Sequence, residues 1–93
     1  MQINEYLLHY KAFHDEFTPN AGPKQKLHKL CEEVEEHVNA VNEGIDDLII
    51  DETIDVMNTS IAYLHSVGVV NPLFAGYQKL QITAKKYREK KAC

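Results

Sequence analysis

The segment K-Q-K-L-H-K-L-C-E-E-V-E-E-H-V-N-A-V-N-E, Lys24 to Glu43, decides how the rest of the chain is read. It predicts a helix, with Pro23 suited to its first position and Gly44 to the residue just past its end. On a wheel of about 100° per residue, Leu27, Leu30, Cys31, Val34, Val38 and Val41 share one apolar arc. Glu33 falls about 60° outside that arc and Glu36 about 60° further, whereas Glu32 and Glu35 point toward solvent. His37 lies between Glu33 and the arc. Ala40, one turn beyond the two acids, is small enough to leave room above them.

Working outward, residues 47–67 predict a second long helix that is apolar around most of its circumference. Ile50, Ile54, Met57, Ile61 and Leu64 form one side, and Leu48, Ile49, Val56, Tyr63 and Val67 another. Its polar arc (Asp47, Asp51, Asn58, His65) is narrow and excludes Glu52 and Asp55. Glu52 is bracketed by Leu48, Val56 and Tyr63, and Asp55 by Leu48 and Ala62, so both acids are expected to face the interior or an interface. Upstream, Ile3, Tyr6, Leu7, Tyr10, Phe13 and Phe17 recur at helical steps and predict a helix over 3–16. Thr18 to Pro23 is the clearest loop. Downstream, Asn71-Pro72 is a cap followed by a first helical residue. Leu73, Tyr77, Leu80, Ala84 and Tyr87 then repeat at steps of four and three, a coiled-coil-like seam in a helix over 72–90. No strand pattern competes. The expectation is an all-α four-helix bundle forming a single domain over 1–93.

Ninety-three residues make a small domain that, alone, buries only ~60–65% of its unfolded surface, so oligomerisation is expected. No run reaches the ~18 apolar residues needed to span a membrane, and the opening residues do not read as a signal peptide. Cys31 and Cys93 make no disulfide framework, which fits a reducing cytoplasm. The net charge of −4 conceals an asymmetry. No Lys or Arg lies between Leu30 and Gln78, while Lys79, Lys85, Lys86, Arg88, Lys90 and Lys91 crowd the last helix. That basic stretch is too short and too poor in interleaved aromatics to predict nucleic-acid binding. The asymmetry has two readings: a solvated acidic face with a solvated basic tail, or a polyphosphate held between metal on the acidic side and cations on the basic side.

Acids three apart on a helix are neighbours, with Cβ atoms ~5–6 Å apart. Glu33 with Glu36, and Glu52 with Asp55, are two such pairs, and antiparallel packing of their helices brings all four together. Unpaired, they repel, and burying ionised carboxylates is costly. A hard cation such as Mg2+, which takes oxygen ligands, removes both problems. The alternative partners are Lys29 and the bases of the last helix. Carboxylate di-iron chemistry is excluded, because no histidine has Glu three residues before it. Zinc spacing and a Gly-rich phosphate loop are likewise absent. His14 and His28 read as surface or loop-packing residues.

Glu32-Glu33-x-x-Glu36, fifteen residues, then Glu52-x-x-Asp55 resembles the E-E-x-x-E…E-x-x-D signature of the all-α nucleotide pyrophosphohydrolases. That superfamily holds the MazG-type enzymes, dimeric dUTPases, dCTP pyrophosphatases and phosphoribosyl-ATP pyrophosphatase. Leu30, Ala40 and Asp55-Val56 extend the likeness, and Lys79 to Tyr87 resembles its closing pattern, with Thr83 where many relatives carry Asn. The resemblance implies an all-α NTP pyrophosphatase fold and a Mg2+-dependent hydrolase, Mn2+ being a possible substitute. Such an enzyme splits a nucleoside triphosphate between the α and β phosphates to give monophosphate and pyrophosphate. Carried over by position, Glu33, Glu36, Glu52 and Asp55 are its metal ligands, with Glu32 peripheral and Glu36 the general base. Lys24, Lys79, Lys86 and Tyr87 are its phosphate contacts, and a homodimer or dimer of dimers is its assembly. No tryptophan is present to stack on a base; Phe13, Phe17 and Tyr63 are the aromatic candidates. Nothing beyond the shared acids points to phosphoribosyl-ATP over other triphosphates. The alternative function is a non-catalytic helical dimer that binds metal, nucleotide or a protein partner.

Overall fold

The computed structural model describes residues 3–92, with side-chain surroundings for 5–91; Ile3 of the predicted apolar face and the Cys93 thiol fall outside the latter range. Four helices follow one another: α1 (Ile3–Phe17), α2 (Pro23–Glu43), α3 (Asp46–Ser66) and α4 (Pro72–Ala92). Among the described residues there is no strand, and none of these helices is long and apolar enough to cross a membrane. The fold is the all-α four-helix arrangement that the sequence periodicities predict.

The breaks between helices follow from local chemistry. Pro23 opens α2, and the Gly22 N–H donates to Gln25 Oε1 at 3.0 Å, which satisfies one donor that the helix leaves free. Gly44 closes α2 at φ 72°, with its N–H shared between the carbonyls of Ala40 and Val41, each 3.1 Å away. That left-handed conformation is cheap only for glycine, and it turns the chain within two residues. As a result α3 runs back along α2. Asn71 caps α4 as its spacing predicts, accepting from the Phe74 N–H at 3.0 Å.

The α2–α3 hairpin is the main packing unit; α4 touches α3 lightly, and α1 stands off across a cleft. The radius of gyration is 15.9 Å, against about 12 Å for a compact chain of this length. The chain is therefore more extended than a compact globule of its length. The reason lies in which faces meet. The less exposed positions of α2 are Lys26, Leu30, Glu33, His37 and Ala40, spaced four and three apart, the stripe that the rest of the fold covers. The Leu27–Val34–Val38–Val41 arc of the same helix stays exposed. Ala40, at 1% exposure, is the most buried residue of the core. On α3 the Leu48, Ile49, Val56 and Tyr63 side is partly covered. Ile50, Ile54, Met57 and Leu64 remain exposed, with only Ile61 of that row buried.

Candidate metal centre and adjoining cleft

Because α2 and α3 are antiparallel, the second turn of α3 lies beside the middle of α2. Glu33, Glu36 and Glu52 there each present a carboxylate oxygen, all within 4.8 Å of one another. Glu33 is 6% exposed, Glu52 is half-buried and Glu36 faces solvent. One oxygen of Glu33 and one of Glu52, Oε2 in each case, are buried without a hydrogen-bond partner. Orphaned carboxylate oxygens are expensive, and carboxylates gathered this closely offer the oxygen donors that a hard cation takes. The residues present therefore fit a divalent metal.

The fourth predicted ligand, Asp55, stands outside this group of three. It is exposed and lines the cleft rather than lying in the interior. Glu32 is peripheral, as its wheel position predicts, and lies 3.0 Å from His28 Nε2 and, as an ion pair only, 3.7 Å from Lys29 Nζ. Lys29 also reaches Glu33 Oε1 at 2.9 Å. That contact holds the Lys29 ammonium above its usual range. The Glu36 carboxyl is raised as well, chiefly by the charge and hydrogen bonding of Glu33, with Glu52 contributing less. Negative charge crowded beside Glu36 disfavours the ionised form of that carboxyl.

Beside the acids opens a cleft of about 660 Å³. Its floor is Lys26, Lys29, Glu33, Asp55, Thr59 and Ala62; its far wall is Tyr6, Tyr10 and Phe13 of α1. Tyr6 hydrogen-bonds Asn58 Oδ1, and the Tyr10 ring meets His65 edge-on at 5.7 Å; these two contacts fix α1 over α3. Among the aromatic candidates, Phe13 lines the cleft, Phe17 packs on Phe13 at 4.9 Å outside it, and Tyr63 is half-buried elsewhere. His14 packs against the loop residue Thr18, while His28 lies on the surface, both as predicted.

Of the predicted phosphate contacts, Lys24 is exposed and borders a separate shallow depression with Gln25 and His28. Lys79, Lys86 and Tyr87 are exposed on α4 and do not line the cleft. Sequence reasoning missed Lys26. Its signal was present as the heptad spacing from Lys26 through Glu33 to Ala40, one stripe of α2 running through both the acid and the tightest packing.

Residues 10–81 match the family described as phosphoribosyl-ATP pyrophosphohydrolase. The chain belongs to that family. It is thereby a member of the MazG-like all-α nucleoside triphosphate pyrophosphatase superfamily, as the acid spacing suggested. The matched span contains every carboxylate of the cluster together with the cleft wall from Tyr10 onward. The family is one of divalent-metal-dependent pyrophosphohydrolases acting on nucleotide substrates. No curated protein and no solved structure matches the chain.

Proposed function

We propose that this chain hydrolyses the α–β phosphoanhydride of a nucleoside triphosphate, releasing monophosphate and pyrophosphate, with Mg2+ held by Glu33, Glu36, Glu52 and Asp55. The observation that carries the reading is the pair of buried, partnerless oxygens on Glu33 and Glu52. Bound there, Mg2+ supplies charge neutralisation of the phosphates and polarisation of the phosphoryl group; Mn2+ is the natural substitute. Asp55, one turn from Glu52 on α3, joins the set by a side-chain rotation from the cleft wall. Glu36 is the base of this reading. It is the exposed member of the three, and its carboxyl is raised by its acidic neighbours, so it takes the proton of an attacking water that arrives from solvent. The aromatic wall of Tyr6, Tyr10 and Phe13 excludes water from one side of the nucleotide.

The assembly in this reading is a homodimer or a dimer of dimers. Support comes from the exposed apolar rows of α2 and α3, which repeat at four- and three-residue steps like the seams of packed helices. A second copy also lets Lys79, Lys86 and Tyr87 of one α4 reach the phosphates in a neighbouring cleft, with Lys24 at its rim. The setting is the cytoplasm, which holds nucleotide pools and keeps a free thiol such as Cys31 reduced.

The test is pyrophosphate release across the common (d)NTPs and phosphoribosyl-ATP, itself a triphosphate, with Mg2+ or Mn2+. Turnover of at least one substrate, giving equal pyrophosphate and monophosphate and lost in Glu52→Gln, is expected. No turnover of any of them at any metal concentration sinks the reading.

A further inference from the structure

Lys26 is 9% exposed, yet among the described residues no carboxylate lies within 4.0 Å of its ammonium. Its neighbour Lys29 has two. The one protein partner of Lys26 is a neutral hydroxyl, Thr18 Oγ1, at 2.9 Å. Thr18 is itself tied to His14, lying 3.2 Å from Nδ1 and 3.4 Å from the carbonyl oxygen. The hydroxyl proton is thus directed at His14 and the oxygen receives Lys26, which pins the ammonium in place. An ammonium carries three donors, so two remain open, and Lys26 lines the cleft. Burial without a counter-ion lowers its proton affinity. A cation kept in such a place works against stability, and the folded protein tolerates it without compensation of its own.

The position matters as much as the burial. Lys26 and Glu33 share one stripe of α2, separated by seven residues and therefore by about 10 Å along the helix. Glu33 and Asp55 mark the metal end of the cleft, and Lys26 with Thr18 and Ala62 marks the other. The lining between them sets Tyr6, Tyr10 and Phe13 beside neutral polar side chains and Lys29, whose charge is taken by Glu32 and Glu33, with no acid apart from Glu33 and Asp55. A nucleotide oriented by the carboxylates at one end meets an unneutralised cation at the other.

We propose that Lys26, held by Thr18, binds a phosphate group of the substrate at the end of the cleft away from the metal-binding carboxylates. This rests on the pyrophosphohydrolase reading for the identity of the anion. The group is either the terminal phosphate of the triphosphate chain or a second phosphate carried beyond the nucleoside, as in phosphoribosyl-ATP. Both offer the charged oxygen acceptors that two open N–H donors require. Lys26 is then a positioning residue, remote from the reacting phosphorus, that sets affinity and register.

The experiment uses the full chain and three variants: Lys26→Met, which keeps length and removes charge, Lys26→Arg, and Thr18→Val, which removes the tether. Steady-state pyrophosphate release is measured on ATP and phosphoribosyl-ATP, and equilibrium binding of α,β-methylene-ATP is measured with Mg2+. Lys26→Met is expected to raise KM at least tenfold with kcat within about twofold. Lys26→Arg recovers most of the loss, and Thr18→Val gives a smaller rise in KM. The ligand-free Met variant melts no lower than wild type, which a merely structural lysine does not allow. A KM effect on both substrates assigns the terminal phosphate; an effect on phosphoribosyl-ATP alone assigns the second one. An unchanged KM for both substrates in Lys26→Met overturns the proposal. Should that variant not fold, an unchanged KM in Thr18→Val does the same. If the wild type turns over nothing, the pyrophosphohydrolase reading fails by itself. The Lys26 proposal then stands or falls on whether Lys26→Met weakens analogue binding tenfold.

Discussion

Lys29 Nζ lies 2.9 Å from Glu33 Oε1, while the other oxygen of that carboxylate is buried and accepts no hydrogen bond. The two ends of one carboxyl group thus have opposite circumstances. One is neutralised from a half-exposed side chain one turn earlier on α2, and the other is left for a ligand. Lys29 is 56% exposed, so solvent screens the pair and its worth is modest.

Removing that partner exposes the imbalance. Lys29→Met is expected to destabilise the metal-free protein by about 1 kcal/mol, below the range for a buried charge-assisted hydrogen bond because of that screening. Mg2+ then raises the melting temperature more in the variant than in wild type, since the cation takes over neutralisation of Glu33. Denaturant titration in EDTA and in excess Mg2+ measures both. Equal metal-induced gains in the two proteins contradict this division of labour.

Neutralising the buried acids separates site from scaffold. Glu52→Gln relieves mutual repulsion, so the metal-free variant matches or exceeds wild-type stability, while Glu33→Gln gains less because it also loses the charge of the Lys29 pair. Wild type gains about 2.7 kcal/mol with Mg2+ at a hundred times its dissociation constant, and the variants gain little. A metal-dependent rise that persists in both variants places the cation elsewhere.

The raised carboxyl of Glu36 has a pH consequence with a definite sign. A folded-state value above the unfolded one, ~4.3 for Glu, means that the folded chain binds the proton more tightly. In the absence of metal this stabilisation is present below the unfolded value and is lost as pH rises through the folded one. Melting curves in EDTA should therefore show wild type and Glu36→Gln converging at acid pH, with the variant the more stable near neutrality. Parallel curves across that range refute the assignment.

Gly44 tests the hairpin that brings the acids together. Its φ of 72° lies in the left-handed region, and an added Cβ meets nothing within 4 Å. Gly44→Ala therefore costs only the conformational term, about 1 kcal/mol, with no steric clash. A far larger loss on chemical denaturation means the turn is constrained by more than its backbone.

The turns and the acid convergence were legible in the sequence because both rest on local rules. Pro23, Gly44 and Asn71-Pro72 punctuate by backbone chemistry, and Glu33, Glu36 and Glu52 meet once two helices joined by a short turn run antiparallel. The inward face of α2 was not legible. A helical wheel tells which residues share a face, and α2 has two candidate faces about 90° apart: the Leu27–Val41 arc and the Lys26–Glu33–Ala40 stripe. Hydrophobicity favours the first for a lone protomer, whereas the fold covers the second. Lys26 escaped notice for the same reason, since its meaning depends on a burial that composition argues against.

The face left over carries the last prediction. Val34, Val38 and Val41 on α2 and Ile50, Ile54 and Met57 on α3 are all exposed, in rows that a second copy can cover. Size-exclusion chromatography with light scattering is expected to give a multiple of the 10.7 kDa protomer, with a melting temperature that climbs with protein concentration. Val38→Glu and Ile54→Glu each bring a charge into that contact from every copy. Burying an unpaired charge costs several kcal/mol, so both variants shift to smaller species and melt lower, with the fall lessened at high protein concentration. Asp51→Asn, on the outward polar arc of α3, leaves mass and melting unchanged. A wild type that runs as a 10.7 kDa monomer at every concentration rules out the second copy as the cover for these rows.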